Sequence, residues 1–178
     1  MQKHVLCVLT DGFEEIETIT PVDLLRRAEV QVLIASLNDG PVTGRCGVRL
    51  VPDVLLAEVN AAAFDLLFLP GGPGVKELRA DGRAAALARD FHDAGKKVAA
   101  ICAAPLILHD AGLLDGRRFT SHSSTWEELP DAVDERVVED GQLITSRGAG
   151  TALDFGFALV EDLAGEAAVD EVSEAIMA

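Results

Sequence analysis

Cys102 has the sequence neighbours that a catalytic cysteine needs. It follows the apolar residues 98–101 and precedes Ala103-Ala104-Pro105, a pattern that predicts a buried strand turning directly into a helix. Small residues on both sides allow a tight turn of the nucleophile-elbow kind. Because the free N–H groups at the start of a helix stabilise negative charge, we expect a reactive thiolate here. The alternative is a buried cysteine that acts as a small hydrophobe.

Two titratable residues could exchange a proton with such a thiol. Glu17 follows the first predicted strand, and facing the strand ends it could act as a general acid or base with a raised pKa. Its neighbours Glu14 and Glu15 suit the first turn of a helix, and we expect both to point to solvent. His122 lies in a polar loop, where it is either an exposed loop histidine or a proton shuttle near Cys102.

Gly71 and Gly72 follow another predicted strand. Glycines let backbone N–H groups approach a ligand closely, and paired N–H groups could stabilise an oxyanion, although a plain turn has the same signature. No Gly-Lys-Ser/Thr follows, so the pair is not a Walker A phosphate loop. The three cysteines form no CxxC motif and no Cys/His cluster. We therefore expect neither a disulfide framework nor a metal site.

These residues need a scaffold that brings them together, and the apolar pattern predicts one. Runs of strand length alternate with helical patterns, which indicates an α/β fold with a mainly parallel sheet and helices on both faces. Strands are predicted at residues 4–10, 30–36, 65–69 and 97–101, hairpins at 42–51 and 137–145, and helices at 15–28, 75–78, 83–94, 103–111, 153–164 and 167–176. Ligands bind at the carboxyl ends of such strands, where the turns with Glu17, Gly71 and Cys102 fall.

The helix predicted at residues 15–28 has a specific expected orientation. Its apolar residues Ile16, Ile19, Leu24 and Leu25 should share one buried face. Pro21 lies within the same segment and should bend the helix or mark where it starts.

Composition limits the remaining possibilities. The chain has 178 residues, 49% of them hydrophobic, which predicts one globular domain over residues 1–178. Its 30 acidic and 15 basic residues give a net charge of -15, which disfavours nucleic-acid binding. No apolar run approaches the ~20 residues of a membrane span, and no signal peptide is evident, so we expect a cytoplasmic protein that does not bind membranes.

Five segments in order resemble the DJ-1/PfpI (ThiJ) superfamily, close to its DJ-1 and YajL branch. They are DGFEEIET at 11–18, PVDLLRR at 21–27, LPGG at 69–72, AAICAAP at 99–105 and TSRGAGT at 145–151. The resemblance covers nearly the whole chain and implies a flavodoxin-like sandwich that forms a homodimer. It also implies that Cys102 is the reactive cysteine, that Glu17 is a protonated carboxyl beside it, and that His122 is the active-site histidine. Backbone N–H groups at Gly72 and Ala103 would form the anion pocket.

The resemblance also implies an activity. It predicts a cofactor-free, glutathione-independent glyoxalase that converts methylglyoxal or related 2-oxoaldehydes to 2-hydroxy acids through a Cys102 hemithioacetal, and protein deglycase chemistry would use the same thiol. The alternative is a peroxide-responsive sensor or chaperone that works through oxidation of Cys102. A cysteine hydrolase ranks lowest, because Ala103 stands where the protease-like branch has histidine and no acid evidently orients His122. Cys46 replaces an arginine that relatives place in the dimer contact.

Overall fold

The computed structural model describes residues 2–178 and is built around a seven-stranded sheet. In spatial order the strands are β5, β2, β1, β6, β7, β9 and β8. Their bounds are His4–Leu9 for β1, Gln31–Ser36 for β2, Val54–Leu55 for β5, Leu66–Leu69 for β6, Lys97–Ile101 for β7, Val137–Asp140 for β8 and Leu143–Ser146 for β9. Neighbouring strands are parallel except β8, which pairs antiparallel with β9. A separate antiparallel ribbon joins β3 (Val42–Thr43) to β4 (Arg49–Leu50).

Six helices cover the two faces of the sheet. They are α1 (Glu15–Arg27), α2 (Val75–Asp81), α3 (Arg83–Asp93), α4 (Pro105–Asp110), α5 (Ala152–Ala164) and α6 (Glu166–Ile176). Helix α1 packs against α5 and α5 against α6, while α2, α3 and α4 contact one another. Side chains of β1 alternate between two cores: Val5, Cys7 and Leu9 belong to one, and Leu6 and Val8 to the other. This explains the unbroken apolar run in its sequence, because both faces of the strand are buried.

Helix α1 differs from its sequence-based prediction in which face it buries. Ile16 and Ile19 are 53% and 44% exposed, so the predicted apolar face is wrong for these two residues. The buried face instead includes Glu17, Thr18 and Pro21. The apolar pattern could not show this, because the buried face carries a carboxyl group and a hydroxyl. The helix also continues through Pro21, so that proline does not mark its start.

The remaining differences are small. The helix after Cys102 begins at Pro105 rather than at 103, because Ala103 and Ala104 belong to the turn that follows β7, which the Ala104 N–H closes by bonding the Ile101 carbonyl at 3.0 Å. The two-residue strand β5 was not predicted, and its length is too short for a periodic pattern to show. Within residues 2–178 no helix has the length and apolar character to cross a membrane.

Candidate active site

The backbone at Cys102 forms a sharp turn at the carboxyl end of β7. Cys102 has a φ of 65°, in the left-handed region that non-glycine residues rarely occupy and that costs roughly 1–3 kcal/mol. Two hydrogen bonds hold the turn. The Cys102 N–H donates to the Ser146 carbonyl at 2.8 Å, and the Cys102 carbonyl accepts from the His122 N–H at 2.8 Å. The structure therefore has the nucleophile-elbow geometry that the sequence predicts. The thiol lies within the fold, since Cys102 is only 9% exposed.

Helix α1 brings Glu17 to the same point. Glu17 is 1% exposed, and its Oε2 accepts a hydrogen bond from the Gly71 N–H at 3.1 Å. A methyl group built on Gly71 would lie 2.4 Å from Glu17 Oε2 and 2.6 Å from Cys102 Cβ. The two side chains therefore meet over Gly71, and only a glycine leaves room for them.

The three predicted backbone donors, at Gly71, Gly72 and Ala103, interact with two different side chains of the site. The N–H groups of Gly72 and Ala103 act on the Cys102 thiol and lower its pKa. The Gly71 N–H is used by Glu17 instead, so Gly71 provides space and holds the carboxyl rather than facing the sulfur. Gly72 has a φ of 96°, and a Cβ there would lie 2.5 Å from the Gly12 carbonyl oxygen. The loops after β1 and β6 therefore approach each other too closely for a side chain.

The two acidic groups of the site hold one proton between them over a wide pH range. Burial, together with the nearby Glu14 carboxylate, raises the pKa of Glu17 to about 7. Burial and the charge of Glu17 raise the pKa of Cys102 to about 12. One proton is thus lost near pH 7, and the second is retained because a second negative charge would lie beside the first. The sequence predicts a thiolate stabilised by the start of the helix. In the structure, burial and the charge of Glu17 raise the pKa of Cys102 more than the two N–H donors lower it.

His122 is placed beside the elbow by its backbone rather than by its ring. Its backbone N–H donates to the Cys102 carbonyl. Its side chain is exposed, and the ring contacts Ser124: Nδ1 lies 2.9 Å from Ser124 Oγ and accepts a hydrogen bond from the Ser124 N–H at 3.2 Å. Within residues 2–178, no acidic side chain bonds this ring. The ring also borders a cavity of about 590 Å³ that Arg136 and Arg147 line.

The acids next to Glu17 do not point to solvent, so that prediction is wrong. Glu14 is 6% exposed and caps α1 by accepting the Glu17 N–H at 2.8 Å. Glu15 Oε1 accepts N–H groups of Cys46 and Val48 at 2.8 and 3.2 Å, which ties the β3–β4 ribbon to α1. Acidic residues at the start of a helix are a recognisable sequence pattern, whereas the contact of Glu15 with the distant ribbon has no sequence signature.

Arg45 is a neighbour of the site that the sequence did not reveal. It lies in the ribbon loop, where its N–H donates to the Phe13 carbonyl at 2.8 Å. Its positive charge opposes the effects of burial and Glu14 on the pKa of Glu17. Nothing in the sequence around Arg45 indicates this approach, because the ribbon reaches the site only through the tertiary fold. Within residues 2–178, no group of three or more side chains is arranged to hold a metal ion.

Comparison with known proteins agrees with this architecture. The DJ-1/PfpI family model matches residues 3–162. Protein dj-1beta of Drosophila melanogaster is 39% identical over 99% of this chain and 98% of its own length. The crystal structure of that protein superposes with a TM-score of 0.93, covering 99% of this chain and 98% of that one. The match confirms the predicted flavodoxin-like α/β fold.

Two further relatives have names that state an activity. The glutathione-independent glyoxalase DJR-1.2 of Caenorhabditis elegans is 36% identical over 92% of this chain and 90% of its own. A deglycase of Pyrococcus abyssi is 39% identical over 83% of this chain and 91% of its own. Because the family model spans most of the chain and the fly relative aligns almost end to end, this chain belongs to the DJ-1/PfpI family.

Proposed function

We propose that the protein is a cofactor-free, glutathione-independent glyoxalase that converts methylglyoxal and related 2-oxoaldehydes to 2-hydroxy acids. The observation that carries this proposal is the pair of Glu17 and Cys102, buried together and holding a single proton above about pH 7. The reaction needs a nucleophile and one base that moves a proton between adjacent carbons, and the pair supplies both. The names of the two active relatives support the same assignment.

The first step is addition of the Cys102 sulfur to the aldehyde carbon. The minor tautomer in which Glu17 holds the proton presents a thiolate, which the N–H groups of Gly72 and Ala103 stabilise. A C–S bond forms, the aldehyde oxygen takes the negative charge, and Glu17 passes its proton to that oxygen. The product is a hemithioacetal beside a Glu17 carboxylate.

The second step is the proton transfer that interconverts the two carbons. The Glu17 carboxylate removes the hydrogen of the former aldehyde carbon as a proton, which leaves an enediolate, and returns that proton to the neighbouring carbon. The hydroxyl proton on the former aldehyde carbon passes to the oxygen of the neighbouring carbon. The first carbon becomes a thioester and the second a secondary alcohol. The oxidation of one carbon is therefore balanced by the reduction of the other, and no external oxidant is required.

The last step is hydrolysis of the thioester. Water adds to its carbonyl carbon, the C–S bond breaks, and the 2-hydroxy acid leaves with the Cys102 thiol restored. His122, exposed at the elbow, would assist proton exchange with solvent. Protein deglycation would use the same sulfur on a hemithioacetal or aminocarbinol, with Glu17 in the same role.

The test is lactate formation from methylglyoxal without glutathione, measured for the wild type and three variants. We expect Cys102→Ala to abolish turnover and Glu17→Gln to lower kcat by ~10²–10⁴, the range of general acid–base catalysis. His122→Asn should cost about tenfold or less, because its ring bonds Ser124 instead of the thiol. Cys46→Ser is the matched control, since it removes an exposed thiol and should retain full activity. Wild-type activity in Cys102→Ala would overturn the mechanism.

Peroxide sensing through Cys102 is the second candidate function. The N–H groups of Gly72 and Ala103, which act on the sulfur, would also stabilise a sulfenate or sulfinate, and a protonated Glu17 would donate a hydrogen bond to it. The distinguishing result is a gain of two oxygens confined to Cys102 under mild peroxide, together with negligible glyoxalase turnover. Uniform oxidation of Cys46 and Cys102 would contradict a specific sensor.

We also propose that the protein forms a homodimer through the outer face of α1. Ile16 and Ile19 are exposed there, and Val48 and Val51 of the neighbouring ribbon region are exposed as well. Exposed large apolar side chains grouped near one element mark an interaction surface.

A further inference from the structure

A second cavity adjoins the elbow on the side of α2 and α4. It has a volume of about 310 Å³ and is lined by Gly72 and Ala103, the residues whose N–H groups act on the Cys102 thiol. This size lies at the lower end of the range for small-molecule sites. A substrate held on the sulfur would therefore have room for its non-reacting part in this cavity.

The walls of this cavity are apolar with a basic edge. Val75 and Leu106 contribute aliphatic side chains, and Lys76 and Arg79 supply positive charge, while no acidic residue of the described chain lines it. This is notable in a protein with a net charge of -15. Because charges separated by more than ~8 Å are largely screened at physiological salt, the charged groups next to the cavity, rather than the net charge of the chain, decide which charge it accepts.

The two basic residues are not equivalent. Arg79 is held by Asp110 in two hydrogen bonds of 2.7 and 2.8 Å and also pairs with Glu128. Its single positive charge is therefore already matched by two carboxylates of the fold and is not available to a ligand. Lys76 is exposed, and in residues 2–178 its ammonium group makes no ion pair or hydrogen bond. Lys76 is therefore the cation that remains available to a ligand.

We propose that Lys76 is a specificity residue that binds the carboxylate at the far end of an acidic 2-oxoaldehyde. The inference rests on the proposed glyoxalase function and narrows its substrate class. The aldehyde carbon would react at Cys102, the aliphatic chain would lie against Val75 and Leu106, and the terminal carboxylate would pair with Lys76. An ammonium group is a compact point charge, which suits one carboxylate oxygen.

The experiment compares two substrates of equal chain length. One is 4,5-dioxopentanoate, a 2-oxoaldehyde with a terminal carboxylate, and the other is 2-oxopentanal, its uncharged counterpart. We expect the wild type to convert both and to prefer the acid in kcat/KM. Lys76→Gln should lower kcat/KM for the acid about fivefold through KM, with kcat unchanged, because an exposed ion pair contributes uniform binding of that size. Its effect on 2-oxopentanal should be less than twofold.

Lys3→Gln is the matched control, because it removes the same charge next to the opposite, amino-terminal end of β1. It should leave both substrates unaffected, whereas Lys76→Glu should lower kcat/KM for the acid further than Lys76→Gln does. Equal losses on both substrates in Lys76→Gln, or a wild type that prefers 2-oxopentanal, would overturn the role of Lys76 and leave the proposed function intact. A wild type that converts methylglyoxal to lactate but neither five-carbon substrate would overturn this inference and leave the proposed function intact, whereas failure on methylglyoxal as well would overturn both.

Discussion

At the scale of single residues, the central feature is a carboxyl group and a thiol that cannot both be charged. Glu17 is 1% exposed and Cys102 9% exposed, so neither can rely on water to stabilise an anion. The two therefore behave as one acid with a shared proton. Such a pair can present either a thiolate or a carboxylate without changing its total charge, which is what alternating nucleophilic and basic steps require.

The raised pKa of Glu17 predicts how stability depends on pH. In the unfolded chain a glutamate loses its proton near its ordinary pKa of about 4.5, whereas the folded protein retains it until about pH 7. The native state therefore binds more protons in this window, and the free energy of unfolding should fall as pH rises from about 4.5 to 7. The loss amounts to about 3 kcal/mol.

Denaturant unfolding of the wild type and Glu17→Gln across this window measures the effect. The difference between the two proteins should grow with pH up to about 7 and then stay constant. Glu171→Gln, on the exposed surface of α6, should follow the wild type. Parallel curves for wild type and Glu17→Gln would show that Glu17 titrates normally.

The sequence could reveal only part of this site. Cys102 and Gly71 stand at strand ends and have local signatures, so their positions could be predicted. Arg45 and Lys76 could not be assigned, because their relation to the site depends on how a ribbon loop and a short helix are placed around it. A raised pKa for Glu17 could be anticipated from its position after the first strand, but the burial that causes it depends on how α1 packs in the fold.

At the scale of elements, the site exists because the ends of β6 and β7 and the first turns of α1 converge without side chains between them. Gly71 occupies the meeting point, and a Cβ there would also lie 2.9 Å from the Ile101 carbonyl oxygen. Contacts this short with backbone atoms cannot be relieved by rotating a side chain.

Gly71→Ala should therefore damage both stability and activity. We expect the free energy of unfolding to fall by about 1–3 kcal/mol, the cost of overpacking, and methylglyoxal turnover to be largely lost because Glu17 and Cys102 are pushed apart. Thermal unfolding and lactate formation measure the two effects. Gly150→Ala is the control, because a Cβ at Gly150 meets nothing within 4 Å. Similar melting temperatures for both variants would refute this account of Gly71.

Prediction of the elements themselves succeeded where one physical pattern dominated. The buried strands β1, β6 and β7 appear as apolar runs, and the β8–β9 hairpin follows from Asp140-Gly141. The predicted orientation of α1 is wrong because the apolar pattern of the helix and the polar contacts of the site favour different faces. Helix periodicity favours burying Ile16 and Ile19, but the fold instead buries Glu17 and Thr18 and leaves the isoleucines outside.

At the scale of the whole molecule, the exposed isoleucines of α1 predict a self-association that can be tested. Burying a side chain of this size contributes roughly 1.5–3 kcal/mol, so a charge placed there should dissociate the proposed dimer. We expect Ile16→Glu to elute and sediment as a monomer at micromolar concentration, where the wild type is dimeric. Met177→Glu, at a position that is 94% exposed in the chain, should remain dimeric. A monomeric wild type would exclude the homodimer.

The ends of the sheet have a consequence for behaviour at high concentration. One border is β5, which has two residues, and the other is β8, which ends in Glu139 and Asp140. An open strand edge invites hydrogen bonding by foreign strands, and short or acidic edges discourage it. Asp140 also bonds the Arg118 N–H at 2.8 Å, which occupies part of that border. The protein should therefore resist fibrillar aggregation even at concentrations where the proposed homodimer forms through α1.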